Sequence, residues 1–352
     1  MFVGGDDSIW GIGYRPNGQG NEKAQLQKVP APEAMRNFKK VAHGKYFRLV
    51  LTEEGKLFWQ GQSRKYMFGF GGSGTSRHDE FHEIENTYFR YEEGDKMIDV
   101  CGGKNFTVVA TERGKIFATS YMFWRQFQEC RYNQENNEDY PHELRLPDGF
   151  KAKKIWGAEK HYNLWTSAAD SDGTLKTFGA GQHTDITGHN STDRTSNFKP
   201  LAVPDGTHMT KITCHGSLAH GVDNHNNLWV WGSEIYGHSS QDDLATLYSG
   251  ERTNNSKPML MKWFKEQTMK VLDVSSSDNN ALVKVEDKEG KIVFFGLSTT
   301  EENLKYVGGA ASLKSEYKHF ISRLDVDGSR VEDFAMGKRS AYILMAADKQ
   351  VI

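Results

Sequence analysis

Apolar runs separated by short glycine-centred breaks recur along most of this chain, and residues 41–61 give the clearest example. Residues 47–52 (FRLVLT) are mostly apolar, aromatic or β-branched, which favours a strand. Residues 53–56 then place Gly55 where a tight turn needs positive φ, and residues 57–60 run back towards Gly61. The pattern predicts a β-hairpin that follows a short strand and ends at a glycine.

The same hairpin recurs at a nearly constant spacing. Its turn position is occupied by Gly55, Gly114, Gly173, Asn226 and Gly290, and a sixth turn is expected at residues 348–350. Successive turns are 53 to 64 residues apart. A period of this size with glycine-rich hairpins is typical of β-propellers.

The repeat defines the predicted domain organisation. We expect one domain over residues 1–352, with repeat hairpins near 41–61, 98–120, 154–179, 211–232, 271–296 and 331–352. Residues 1–4 are interpreted as the missing end of the last hairpin, and residues 8–13 as a segment resembling 67–71. The sequence therefore predicts an all-β protein: a single β-propeller of about six four-stranded blades, with seven as the alternative. A blade shared between the N- and C-termini would close it.

Residues 258–264 (PMLMKWF) have the composition of an amphipathic anchor, but they occupy the position of an outer strand and its turn. Residues 25–30, 141–149, 199–206 and 321–328 fill the same position in other repeats. We therefore expect an outer strand and turn there.

Short motifs in the repeats resemble those of a known family. They are VAHG at 41–44, VCGG at 100–103, IWG at 155–157, TCHG at 213–216 and VWG at 230–232. In this respect the chain resembles the regulator of chromosome condensation repeat family. The resemblance implies a β-propeller and, for function, a guanine-nucleotide exchange factor that opens the nucleotide site of a small GTPase with an inserted loop.

The repeats also depart from the family pattern. Family members typically have seven repeats, and a histidine at the start of the first hairpin strand is replaced here by Phe47, Phe106, Asn280 and Ser340. We therefore carry no functional residue over from the family.

Composition narrows the functional classes. The net charge is −2 and no basic tail is present, so contact with nucleic acid through such a tail is not expected. Three scattered cysteines fit a reduced compartment, and no segment approaches the length of a membrane span. We expect an intracellular protein, in the cytoplasm or alternatively the nucleus, that is not secreted and does not insert into a membrane.

Candidate catalytic motifs are weak. Residues 69–74 match the dinucleotide pattern GxGxxG, but they follow a hairpin strand rather than opening a helix. His215, His220 and His225 lie five apart and His78 and His82 four apart, without a set of four convergent ligands. We expect no catalytic residue, no metal site and no cofactor.

One segment breaks the repeat where a glycine exit is expected. Residues 120–127 (SYMFWRQF) combine aromatic side chains, Met and Arg, a composition enriched in interface hot spots. The alternative is that the run packs over a neighbouring blade as core. The candidate interface residues are Tyr121, Phe123, Trp124, Arg125 and Phe127.

The sequence therefore favours a non-enzymatic protein–protein interaction module, a scaffold or subunit of a larger assembly, whose protein partner it does not identify. The alternative, implied by the family resemblance, is an exchange factor for a small GTPase.

Overall fold

The apolar runs form strands that pair into antiparallel sheets in a computed structural model of the chain. The structure describes residues 2–3, 9–12, 26–44, 47–63, 76–84, 89, 92–103, 106–119, 141–158, 163–181, 184–189, 198–216, 218–232, 255–277, 280–298, 321–337 and 340–345. The strands of the first three sheets are β1 (Phe2–Val3), β2 (Ile9–Ile12), β3 (Leu26–Val29); β4 (Phe38–His43), β5 (Phe47–Thr52), β6 (Leu57–Ser63), β7 (Ser76–Ile84); and β8 (Met97–Gly102), β9 (Thr107–Thr111), β10 (Ile116–Thr119), β11 (His142–Leu144).

Four further sheets follow in chain order. Their strands are β12 (Lys151–Gly157), β13 (Asn163–Ala169), β14 (Leu175–Gly181), β15 (Lys199–Pro200); β16 (Met209–His215), β17 (Leu218–Asp223), β18 (Leu228–Gly232), β19 (Asn255–Leu260); β20 (Lys270–Ser277), β21 (Asn280–Glu286), β22 (Ile292–Ser298), β23 (Ile321–Arg323); and β24 (Val331–Gly337), β25 (Ser340–Met345). Two short helices, α1 (Thr184–Thr187) and α2 (Lys262–Glu266), and a 3₁₀ turn at Gly328–Arg330 complete the described elements. Neither α1 nor α2, nor any other helix in the described ranges, has the length and apolar character needed to cross a bilayer.

The hairpin turns lie where the repeat predicted them. Gly55, Gly114, Gly173 and Gly290 have φ between 77° and 85°, and Asn226 has φ of 60°. This left-handed conformation strains most side chains but suits glycine and, to a lesser degree, asparagine. The sixth turn, at 348–350, lies outside the described residues.

The fold class is confirmed as all-β, because five of the seven sheets in the described ranges have four antiparallel strands. At the N-terminus, Ile9–Ile12 is a strand that pairs with both Phe2–Val3 and Leu26–Val29. The sequence likened residues 8–13 to residues 67–71, which lie outside the described residues, and predicted an outer strand at residues 25–30. Residues 26–29 of that segment form β3. The number of blades and the sharing of a blade between the two ends remain predictions.

The outer-strand interpretation of residues 258–264 holds for its first half. Residues up to Leu260 belong to β19, and α2 then replaces the expected turn. Phe264 of this helix is buried, so the apolar run serves the core.

The chain forms two compact units: Met1–Tyr162 with Ala168–Thr174 and Ser196–Phe198, and Asn163–Ser167 with Leu175–Thr195 and Lys199–Ile352. In the first unit, Leu49 and Trp59 of the second sheet share a core with Val100 and Val109 of the third. The opposite face of the second sheet packs Val50 and other side chains against the first sheet. Strands covered on both faces explain why β9 reads as a continuous apolar run rather than an alternating one.

The second unit repeats this packing. Val230 of the fifth sheet and Val283 of the sixth share one core, while Phe294 of the sixth packs against Phe334 of the seventh with ring centroids 5.2 Å apart. The second and sixth sheets are therefore held by apolar contacts on both faces. Each Å² of apolar surface buried contributes about 25 cal/mol.

Candidate interaction surface

In five of the sheets, the first strand carries a β-bulge immediately before a charged side chain. The residues that follow the shift in register are Lys40, Asp99, Lys211, Asp273 and Asp333. A bulge bends its strand and re-aims the neighbouring side chain. The repeat therefore places a charged group at the same point of β4, β8, β16, β20 and β24.

In the first unit these charges form a network around Asp99. Its Oδ1 accepts hydrogen bonds from Lys40 Nζ at 2.5 Å and from the Val100 N–H at 2.9 Å. Its Oδ2 accepts from the Ile155 N–H at 2.8 Å. The Asp99 side chain is 10% exposed and that of Lys40 is 34% exposed. The carboxylate is thus occupied in joining β4, β8 and β12.

The second unit has a more open version of the same arrangement. Lys211 Nζ lies 3.1 Å from Asp273 Oδ1, and the Phe334 N–H donates to Asp333 Oδ1 at 2.8 Å. Burial raises the pKa of Asp333, and the negative charge of Asp273 adds to that increase, while the Phe334 N–H and Lys211 oppose it. Lys211 therefore pairs with Asp273 and also interacts electrostatically with the carboxyl group of Asp333.

Hydroxyl groups join the same strands further along. Thr213 Oγ1 and Ser276 Oγ lie 3.1 Å apart, and the Met336 N–H donates to Ser275 Oγ at 3.0 Å. Side-chain hydrogen bonds consequently link the first strands of neighbouring sheets, between which the described residues show no backbone strand pairing.

A cluster of exposed charges lies near the second hairpin turn. Glu92 pairs with Arg113 and accepts a hydrogen bond from Lys115 Nζ at 2.9 Å, and Lys115 also lies 3.7 Å from Glu143. The hydrogen bonds from Lys115 and then Arg113 lower the pKa of Glu92. Exposed pairs of this kind contribute little to stability. These side chains form an exposed surface on which positive and negative charges lie next to one another.

Burial keeps the titratable side chains Cys101, His189 and His220 in their uncharged forms, which suits them to packing in the core. Burial raises the pKa of the Cys101 thiol far above neutral pH, so the thiolate required of a nucleophile is absent. Burial likewise lowers the pKa of His220 to about 4 and also lowers that of His189. His220 is therefore neutral at pH 7.

The predicted interface residues Tyr121, Phe123, Trp124, Arg125 and Phe127 lie outside the described residues, as does the GxGxxG segment at 69–74. Among the histidines, His220 is buried on β17 while His225 is exposed at the following turn. In the described ranges, no group of three or more His, Cys, Asp or Glu side chains is arranged to hold a metal ion. His78 and His82, in contrast, lie together.

The charged positions after the bulges were not predicted from the sequence, although a partial signal was present. Lys40 and Asp99 immediately precede the VAHG and VCGG motifs, whereas Lys211 lies two residues before TCHG. An offset from the repeat motif would therefore have identified Lys40 and Asp99.

No protein-family model matches the chain, and no curated protein sequence matches it significantly. Solved structures do match. Human WBSCR16 has 16% identity over 93% of this chain and 79% of its own, with a TM-score of 0.64. Prp20p from Saccharomyces cerevisiae has 16% identity over 94% of this chain and 75% of its own, with a TM-score of 0.65. Yeast RCC1 (Prp20) bound to Kap60 has 14% identity over 93% and 85%, with a TM-score of 0.50. The chain therefore has the β-propeller fold of the regulator of chromosome condensation repeat proteins.

Proposed function

We propose that this chain is a non-enzymatic protein-interaction module that acts as a scaffold or as a subunit of a larger assembly. The observation that carries the proposal is how the described titratable side chains are used. Asp99 is occupied by three donors, and Cys101 and His220 are buried in the core. The exposed side chains around Glu92 carry both positive and negative charges and form ion pairs with one another. A surface with charges of both signs suits recognition of another protein by complementary charge.

The proposed contact surface includes the aromatic segment at 120–127. Tyr121, Phe123, Trp124, Arg125 and Phe127 have the side-chain types that dominate interface energetics. In sequence the segment follows β10 directly, and Lys115, before β10, pairs with Glu143 of β11. A partner with pockets that accept aromatic side chains, and with both positive and negative side chains around them, would fit this combination.

Affinity purification followed by mass spectrometry tests the proposal. The wild-type chain is expected to recover a reproducible set of proteins, and Trp124→Ala and Phe123→Ala to lose at least one of them. Lys265→Ala, an exposed position on α2, is the matched control and should retain them all. Failure of the wild-type chain to recover any stable partner at native abundance would overturn the proposal. Loss of partners equally in all three variants would overturn the assignment of the segment.

The alternative function is nucleotide exchange on a small GTPase. Prp20p, with a similar fold, is described by its binding to Gsp1p and histones. Release of labelled GDP from a panel of purified small GTPases separates the two functions. Acceleration of any member by catalytic amounts of the chain would replace the scaffold proposal, and unchanged release across the panel would support it.

We further propose that the protein acts inside the cell, in the cytoplasm or alternatively in the nucleus. The scattered cysteines favour a reducing compartment. Imaging of the chain carrying a fluorescent tag at either end would test this, and a secreted or organelle-enclosed signal would contradict it.

A further inference from the structure

Two histidines of one outer strand lie in direct contact. His78 Nδ1 and His82 Nε2 are 3.1 Å apart, and the two ring centroids are 4.6 Å apart at an interplanar angle of 80°. Both residues belong to β7, the last strand of the second sheet. His82 is exposed and His78 is half-buried, so the pair lies at the surface.

This contact requires an irregular strand. Residues four apart on a regular strand are separated by about 13 Å, at about 3.3 Å for each residue. In the ladder between β6 and β7, however, His78 pairs with Gly61 and His82 with Trp59, so two steps along β6 oppose four along β7. The extra residues bulge out, and the bulge brings the imidazoles together.

The surrounding residues hold this bulge in place. Gln60 Nε2 donates to the Asp79 carbonyl oxygen at 2.6 Å, inside the bulge. Phe81, at its far side, is 5% exposed and packs into the core. Trp59 is buried beneath the pair, with its ring centroid 4.8 Å from that of His78 and 6.1 Å from that of His82. The imidazoles are therefore positioned by the sheet rather than by chance rotamers of free side chains.

The separation of the two nitrogens matches that of two ligands on one metal ion. With metal–nitrogen bonds of about 2.0–2.1 Å, two imidazole nitrogens at angles of about 90° to 109° lie roughly 2.9–3.4 Å apart. The observed 3.1 Å falls within this range. Imidazole nitrogen is a preferred ligand of Zn²⁺, Cu²⁺ and Ni²⁺, and affinity rises towards Cu²⁺ in the first-row series.

We propose that His78 and His82 form a two-imidazole binding site for a divalent first-row transition-metal ion, tightest for Cu²⁺, with water in the remaining coordination positions. From the sequence no metal site was expected, because no set of four convergent ligands was found. The site proposed here needs only two protein ligands, which the bulge brings together. The same distance also suits a simple hydrogen bond between one ring's N–H and the other ring's lone pair, and the experiment distinguishes the two.

The test is a titration of the tag-free full chain with Cu²⁺ at pH 7.5. Isothermal calorimetry measures the binding, and electron paramagnetic resonance identifies the nitrogen ligands. The wild-type chain is expected to bind one Cu²⁺ ion with a signal from two nitrogen ligands. His78→Ala and His82→Ala should each lose that binding event, and Zn²⁺ should raise the melting temperature of the wild-type chain but not of these two variants. His43→Ala removes an exposed histidine from β4 of the same sheet and is the matched control.

Two further variants keep the proposal falsifiable if an alanine variant unfolds. His78→Gln and His82→Gln retain a polar side chain of similar reach but lose the imidazole ligand, and circular dichroism of the metal-free proteins checks folding. Equal Cu²⁺ binding and equal nitrogen signals in the wild-type chain and in both folded glutamine variants would overturn the proposal. Loss in His43→Ala to the same degree would overturn it as well, because binding would then be unspecific.

Discussion

The Nζ of Lys40 lies 2.5 Å from Oδ1 of Asp99, and the other oxygen of that carboxylate accepts the Ile155 N–H at 2.8 Å. A single carboxylate, 10% exposed, thereby joins the first strands of three consecutive sheets. Removal of Asp99 should therefore lower the free energy of unfolding more than removal of Lys40 does.

We expect Asp99→Ala to lower the free energy of unfolding by about 3 kcal/mol, because it leaves two backbone N–H groups and a partly buried ammonium without their acceptor. Lys40→Ala should cost about 1 kcal/mol, since the carboxylate keeps its two N–H donors and Lys40 is more exposed. Urea unfolding measures both, with the exposed turn variant Glu289→Ala as control. Equal stability of Asp99→Ala and the control would contradict the structural role of this carboxylate.

Burial of neutral His220 should make stability depend on pH. Its pKa is about 4 in the folded state, compared with about 6.5 when unfolded, so the unfolded chain binds the proton first as pH falls. The contribution of His220 is complete above pH 6.5 and is lost progressively down to pH 4, by about 3 kcal/mol in total. His189, whose pKa is also lowered by burial, acts in the same direction.

The variants His220→Asn and His220→Leu should remove this titration. The difference between wild-type and variant unfolding free energies is expected to narrow between pH 6.5 and pH 4, because the wild-type chain loses stability that the variants do not. Chemical unfolding at half-unit pH intervals measures it. A difference that stays constant across this range would rule out a buried neutral histidine.

Gly179 lies where a side chain has no room. A Cβ atom there would come within 2.3 Å of the Thr187 carbonyl oxygen and 3.0 Å of the Trp165 ring, whose Nε1 donates to the same oxygen at 3.1 Å. We expect Gly179→Ala to cost about 2 kcal/mol by forcing α1 away from Trp165. Thermal melting measures the change. Gly149→Ala, which meets no atom within 4 Å, is the control and should cost about 1 kcal/mol through its positive φ alone.

The turn positions should differ in their tolerance of asparagine. Asn226 fills the turn slot of the fifth sheet with φ of 60°, and Gly173 has open space around it at φ of 83°. Gly173→Asn is therefore expected to cost less than about 1 kcal/mol. Gly114→Asn should cost more than twice as much, because its Cβ would come within 2.7 Å of Lys151 Cα. Equal melting temperatures for the two variants would contradict this ranking.

The sequence predicted the strand-rich class and the turns for a local reason. Positive φ at a two-strand turn restricts the residue to glycine or asparagine, so Gly55, Gly114, Gly173, Asn226 and Gly290 reveal the repeat directly. In the first sheet, Leu26–Val29 lies in a segment predicted to be an outer strand, whereas Ile9–Ile12 was not predicted as a strand because the sequence beside it lacks that motif. Bulges were not predicted either, since an extra residue in a strand depends on its pairing partner rather than on its own sequence.

The sequence by itself determined the antiparallel all-β class and the positions of five hairpin turns, because each of these follows from local backbone geometry or from a repeated pattern. Only the tertiary structure decided that Lys40 meets Asp99 and that His78 meets His82. Both contacts depend on bulged register between strands, and register is set by the pairing of residues distant in the chain.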